Sequence, residues 1–192
     1  SRLRTAAIFS SNFISRGPCW GPAFSFPEDL DYNKRMKFAV DCMLGKLAKW
    51  LKIMGFDAAF FPRIGDGELL EFARREGRVL LTRASGLLGR AGAVPCLFID
   101  SDQWREQIHQ VLDRFELREK IRPHTRCIRC NRPLLCLPKA RARNLVTPFV
   151  YQKAEKFALC PDCGRVYWKG THLRDMENRL LDIARLPGQK NS

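Results

Sequence analysis

The chain is predicted to fold as an α/β unit, a small and mostly parallel sheet with helices on both faces, followed by a small C-terminal zinc ribbon. Two observations predict it. Between Met36 and Arg118, apolar runs of strand length alternate with segments of helical spacing. Beyond them, two CxxC pairs, Cys127-Ile-Arg-Cys130 and Cys160-Pro-Asp-Cys163, offer four thiols in a ribbon pattern.

Taken in order, Lys37-Phe-Ala-Val-Asp41 reads as a short buried strand. Leu44, Leu47, Ala48, Leu51 and Met54 then recur at helical spacing, with Lys46, Lys49 and Lys52 on other faces and Gly55 as the stop. Trp50 falls in this repeat and is expected to pack at its margin rather than stack on a base. Ala58 to Phe61 predicts a second strand, and Asp66 is placed to cap a helix running to Arg75. Arg78 to Thr82 and Pro95 to Ile99 predict the third and fourth strands, and a helix follows from about Gln103 to Phe115. The order β-α-β-α-β-β-α favours parallel strands joined by helical crossovers. His172 to Leu186 alternates apolar and charged residues as a terminal helix would, ending at Pro187-Gly188. Expected boundaries are 36–120 for the α/β unit and 121–180 for the ribbon, flanked by tails at 1–35 and 181–192. Residues 1–35 are rich in Ser, Gly, Pro and Phe, lack a continuous apolar core, and read as a disordered tail or a misplaced start, with Met36 as an alternative initiator.

Two thiolates separated by two residues project from one tight turn, and two such turns facing each other supply tetrahedral ligation, so structural zinc on Cys127, Cys130, Cys160 and Cys163 is expected. Pro161 and Gly164 favour the turn of the second pair. A set of disulfides or a redox dithiol competes for the same residues, but the repeated spacing favours metal. The 29 residues between the pairs exceed ordinary ribbon spacing, so Pro133 to Phe157 is expected to be an elaborated hairpin carrying Lys139, Arg141 and Arg143. Cys19, Cys42, Cys96 and Cys136 have no such pattern, although Cys136 lies near enough in sequence to compete as a ligand. His172 is a weaker candidate ligand, since four cysteines already suffice.

The chain has 192 residues and is 45% hydrophobic, an ordinary content for folded protein. No apolar run approaches the roughly 20 residues that span a bilayer, and metal-type cysteines suit a reducing compartment, so a cytoplasmic location is expected. Its net charge of +14 is unevenly placed: residues 121–192 hold 15 Lys or Arg against 5 Asp or Glu, whereas residues 36–120 hold 14 against 12. Clustered cations attract phosphates with little demand on geometry, which points to a polyanion partner; a merely solvated basic surface is the alternative.

In an open parallel sheet the ligand crevice lies outside the carboxyl ends of the strands. Asp41 ends the first strand, Asp66 opens the helix after the second, and Asp100 and Asp102 follow the fourth. Carboxylates gathered there would suit magnesium or manganese, hard cations that take oxygen ligands and keep waters, and such a site can activate water against a phosphodiester. Taken singly, each Asp reads more readily as a cap or turn former than as a ligand.

The string Phe38-Ala-Val-Asp41-Cys-Met-Leu-Gly45-Lys-Leu-Ala-Lys-Trp50-Leu-Lys-Ile-Met-Gly55-Phe-Asp57 closely resembles the opening of the Mut-seven C-terminal RNase family, which belongs with PIN-like nucleases. Gly65-Asp66, Gly77-Arg78-Val-Leu-Leu-Thr82-Arg83, Arg126-Cys127 to Cys130-Asn131, and Cys160-Pro-Asp-Cys163-Gly164-Arg165-Val-Tyr167-Trp168-Lys-Gly170-Thr-His172 extend the likeness over roughly residues 36–180. The resemblance implies a PIN-like, metal-dependent endoribonuclease in which Asp41 and Asp66 help hold magnesium or manganese, with Asp100 or Asp102 as further catalytic candidates. The partner expected is single-stranded RNA, and the clustered cations and aromatics Arg83, Lys139, Arg141, Arg143, Arg165, Tyr167, Trp168 and Lys169 are its candidate contacts. Tyr167 and Trp168 follow the second knuckle among cations, a setting suited either to base stacking or to packing between the two parts. One departure stands out: after Thr82-Arg83 the family pattern has an aspartate, whereas this chain has Ala84. Alanine cannot ligate, so the resemblance also admits a nuclease-dead nucleic-acid-binding protein acting as a regulator.

Overall fold

A computed structural model of the chain describes residues 36–170 together with positions 180 and 183. The expectations for residues 1–35 and for His172 lie outside these residues. Four parallel strands form the first sheet: β1 (Lys37–Val40), β2 (Asp57–Phe60), β3 (Val79–Thr82) and β4 (Cys96–Phe98), in the spatial order β2-β1-β3-β4. Each parallel step needs a crossover, and the helices α1 (Gly45–Ile53), α2 (Asp66–Arg75) and α3 (Ser85–Gly89) supply them. A fourth helix, α4 (Trp104–Arg114), follows β4. The strands start and stop within a residue or two of their expected bounds, while the short α3 lacked enough sequence periodicity to be anticipated.

Phe38, Ala39 and Val40 are all fully buried, because both faces of β1 are covered. Phe38 and Val40 point to one side, where Leu47 and Leu51 of α1 pack with Ile108, Val111 and Leu112 of α4. Ala39 points to the other, against Leu69 and Ala73 of α2 and Leu87 of α3. Trp50 stacks on Trp104 with ring centres 5.2 Å apart and planes 7° from parallel, which fixes α1 beside α4 and occupies the ring with packing. Leu180 and Ile183, both helical, join this core, and the Ile183 carbonyl accepts from Arg118 at 3.2 Å.

The second sheet is antiparallel: β5 (Leu135–Leu137), β6 (Phe157–Leu159) and β7 (Val166–Trp168). Between β5 and β6 the chain forms two short helices, α5 (Lys139–Ala142) and α6 (Pro148–Lys153). Thr147 caps the latter, its hydroxyl accepting the Val150 N–H, and Pro148 sits at the first helical position where no donor is needed. Ala142, Ala154, Leu137 and Phe157 give this insertion its own small core. The long inter-pair segment is thus a hairpin whose connection is helical.

The two sheets are joined first through the end of α1. Its last carbonyls have no partners within the helix, and the incoming ribbon strand satisfies them: Arg122 N–H donates to Met54 O and His124 N–H to Ile53 O, each at 2.9 Å. Gly55 makes this possible. Its φ is +94°, and a Cβ there would lie 2.2 Å from the Arg122 carbonyl oxygen.

The second join centres on Asp57, the first residue of β2. Arg78 and Asn131 both donate to its Oδ1, at 2.5 and 2.7 Å, and the Arg126 guanidinium lies 3.4 Å from Oδ2. Asn131 also accepts the Ala58 N–H at 3.1 Å, so the ribbon side chain takes the place of a strand partner on the outer edge of β2. Burial pushes the Asp57 carboxyl up, but the bonds from Arg78 and Asn131 and the charges of Arg126 and Arg78 outweigh it and hold the group below the usual aspartate range. A depressed folded value contributes stability above the ordinary range that is lost as pH falls below about 4. Asp57→Ala is expected to destabilise the protein by about 3–5 kcal/mol, because it removes the carboxylate that balances the charges of two largely buried arginines. Thermal unfolding of parent and variant from neutral pH down to acid checks this; the gap between them narrows as the acid titrates Asp57 in the parent.

Candidate metal centre and carboxylate crevice

The two CxxC turns are built alike. In the first, Cys127 N–H donates to Arg132 O and Asn131 N–H to Cys127 O; in the second, Cys160 N–H donates to Arg165 O and Gly164 N–H to Cys160 O. The residue after each pair is left-handed, Asn131 at φ +63° and Gly164 at +68°. Glycine is the usual choice there, and asparagine is the next most tolerant residue. Its use at 131 follows from the docking bonds its side chain makes to β2.

The sulfurs of Cys127, Cys130, Cys160 and Cys163 all lie within 4.8 Å of one another, and Cys127 and Cys163 are 3.7 Å apart. A tetrahedron with Zn–S bonds of about 2.3 Å has edges of about 3.8 Å, so the donor set and its spacing fit zinc. Cys130 N–H points at the Cys127 sulfur at 3.3 Å, and the Tyr167 hydroxyl lies 3.1 Å from it. Burial pushes Cys160 up to about 12 and Cys130 up to about 11, with neighbouring sulfurs adding to the effect. Cys127 is different: burial opposes its ionisation, yet the Tyr167 hydroxyl and backbone donors bring it down to about 7. Four thiolates in this space therefore need a cation between them. All seven described cysteines are free thiols, and Cys136, half-buried on β5, is not in the cluster.

The other candidate centre lies at the carboxyl end of the parallel sheet. Sheet order reverses between β1 and β3, since the chain leaves β1 towards β2 and returns across it to β3, and the crevice of such a fold opens at that point. Asp41 stands there, 5% exposed. Its N–H continues the ladder to Leu81 O at 3.0 Å, and its carboxylate accepts from the Thr82 hydroxyl at 2.7 Å. That hydroxyl accepts the Ala84 N–H at 3.0 Å, so the β3 turn and Asp41 are locked together. Thr82 ends an otherwise aliphatic strand, Val-Leu-Leu-Thr, which is the only sequence sign of this role.

Asp66 is the first residue of α2 rather than its cap. Gly65 holds the cap position, its N–H donating to Glu68 at 3.3 Å, which leaves the Asp66 carboxylate for Arg90 at 3.5 Å. Both Asp41 and Asp66 bear on the exposed Cys42 thiol, whose pKa is raised by the Asp41 hydrogen bond first, then by burial and by both negative charges. Asp100 and Asp102 find their partners at α4. Asp100 accepts from Gln110 on α4 at 2.6 Å, and Asp102 is 3.4 Å from the Gln103 amide. Among the described residues, no group of three or more ligands gathers around any of these four acids.

The candidate nucleic-acid contacts are spread over the surface. Arg83 is half-buried beside the crevice, while Arg141, Arg143, Arg165, Trp168 and Lys169 are exposed. Lys139 is 3.6 Å from Glu155 and 5.6 Å from the Tyr151 ring centre. Tyr167 is packed among the knuckle sulfurs with Leu134 and Ala158. Asp57, Thr82 and Asn131 were not singled out from the sequence, because their importance comes from long-range partners. Chelating the metal from the native protein is expected to release one zinc per chain and to unfold the ribbon sheet. Elemental analysis with near-ultraviolet circular dichroism follows it, and Cys160→Ser should copy the chelated state.

No helix among the described residues is long and apolar enough to cross a membrane. No curated protein and no solved structure matches the chain. The family model of the Mut7-C RNAse domain matches residues 36–180, a span that takes in the parallel sheet, its switch-point crevice and the four-cysteine ribbon. The chain belongs to the Mut7-C RNAse domain family.

Proposed function

We propose that the protein is a metal-dependent endoribonuclease that hydrolyses phosphodiesters of single-stranded RNA in the cytoplasm, with its zinc ribbon gripping the strand. The observation that carries this reading is the placement of Asp41 at the sheet's switch point, its carboxylate held by the Thr82 hydroxyl, with Asp66 opening the helix that follows β2. Magnesium or manganese characteristically uses one or two protein carboxylates and completes its shell with water and substrate phosphate, so two acids make a fitting donor set. A cation bound there would supply Lewis-acid stabilisation of the phosphate and an activated water. Asp41 and Asp66 would hold it. Thr82 keeps the Asp41 carboxylate in one rotamer, and Arg90 restrains Asp66. The basic ribbon supplies attraction for the RNA backbone, as its charge surplus suggests.

A second reading is favoured by Ala84. The family resemblance expects an aspartate at this position; here the Ala84 N–H donates to the hydroxyl that holds Asp41, and its methyl packs with the apolar side of α2 and α3. On this reading the protein binds nucleic acid without cutting it. Manganese-dependent cleavage of a labelled single-stranded RNA separates the two. The nuclease reading expects cleavage by the parent, abolished in Asp41→Asn and reduced about 10-fold in Thr82→Val. A silent parent with activity gained by Ala84→Asp would establish the binding-protein reading instead.

A further inference from the structure

We infer that the cavity between the outer edge of β2 and the first zinc knuckle is a nucleotide subsite, seating one phosphate and the adjoining base of an RNA strand. This rests on the RNA reading above and gives it a location. The cavity holds about 460 Å³, within the range of small-molecule sites. Its walls bring together Lys52, Arg78, Arg126, Arg129 and Arg132 with a single carboxylate, Asp57. Even after the two net negative charges of a zinc tetrathiolate at its rim are counted, the lining stays cationic.

Those cations divide into two kinds. Arg78 and Arg126 are tied to Asp57, and Arg132 donates to Asp162 at 2.8 Å. Lys52 and Arg129 have no hydrogen bond or ion pair among the described residues. Lys52 is 7% exposed, on a buried turn of α1, and near the thiolates of Cys127 and Cys130. Its ammonium is presented to the cavity without an oxygen acceptor among the described residues, where a phosphate oxygen can pair with it. Arg129 projects from the knuckle turn itself, positioned by the metal site rather than by a surface loop.

The far wall is aromatic. Phe61 is 37% exposed, and its ring is held edge-on to Phe72 at 5.0 Å, which leaves a fixed face for a base. This end of the cavity approaches the crevice. Phe60 is opposite Val40 in the parallel register, so Phe61 and Asp41 are the next residues of adjacent strands, whose spacing is about 4.8 Å. A base on Phe61 would place its strand beside Asp41. RNA contact by this route runs over the first knuckle and not over Lys139, Arg141 and Arg143.

The test is fluorescence anisotropy of labelled single-stranded RNA with zinc-loaded protein and no added magnesium or manganese. Arg129→Glu and Lys52→Met are expected to weaken binding about 10-fold each, the scale of one charge-assisted contact. Each should lower the slope of log affinity on log salt by about 0.7. The combined Lys139→Gln, Arg141→Gln, Arg143→Gln variant should weaken binding less than Arg129→Glu alone. Because Lys52 is buried, Arg129→Glu on the exposed knuckle keeps the test valid if Lys52→Met folds poorly. RNA binding by the parent that neither variant alters would overturn the subsite and leave the RNA reading standing. A parent that binds no RNA at low salt would overturn both. If adenosine monophosphate binds and depends on Arg129 while RNA does not, the cavity takes free nucleotides, and the RNA assignment is overturned.

Discussion

The carboxylate of Asp57 and the side-chain amide of Asn131 hold together two sheets that would otherwise be separate small domains. Neither sheet is large. The parallel one has four short strands and the ribbon three, and units of this size need a metal, a partner or each other to be stable. Asn131 satisfies an edge donor of β2 through Ala58 and shares Asp57 with two arginines, so the open edge of the parallel sheet is closed by a metal-organised turn. The left-handed position that the knuckle requires is therefore also the position from which the ribbon docks.

From that junction the functional geometry follows. The four-cysteine cluster holds the first knuckle, the knuckle sets Asn131 and Arg129, and Asn131 docks the ribbon on β2. At the carboxyl ends of the parallel strands Asp41 is set by backbone and side-chain bonds to β3, independent of the ribbon. The proposed carboxylate site and the proposed RNA surface are thus mounted on different elements. Gly55 is the other requirement: only a residue without a side chain lets the linker cross the end of α1 closely enough to satisfy its carbonyls.

Much of this was legible in the sequence. The strand and helix periods of residues 37–115 and the repeated CxxC carry their own physics, since burial on both faces demands aliphatic runs and tetrahedral metal demands paired thiols. Asp41 was legible as a strand-end acid. What could not be read was pairing at long range: that Thr82 would orient Asp41 across 41 positions, or that Asn131 would reach β2 across 73. Asp66 looked like a helix cap and is instead the residue after it, because Gly65 serves the cap and frees the carboxylate for Arg90. Tyr167 was open either to base stacking or to packing, and its hydroxyl lies 3.1 Å from the Cys127 sulfur, a choice no local pattern encodes.

The most direct measurement is amide hydrogen exchange at Ala58 in the parent and in Asn131→Gly. Glycine keeps the left-handed backbone and the zinc knuckle but removes the docking side chain. If the junction is what unites the sheets, Ala58 loses protection in the variant while the Asp41 amide, bonded within the parallel sheet, keeps it and zinc remains bound. Unchanged protection at Ala58 would show that the ribbon is not held to the sheet by this contact.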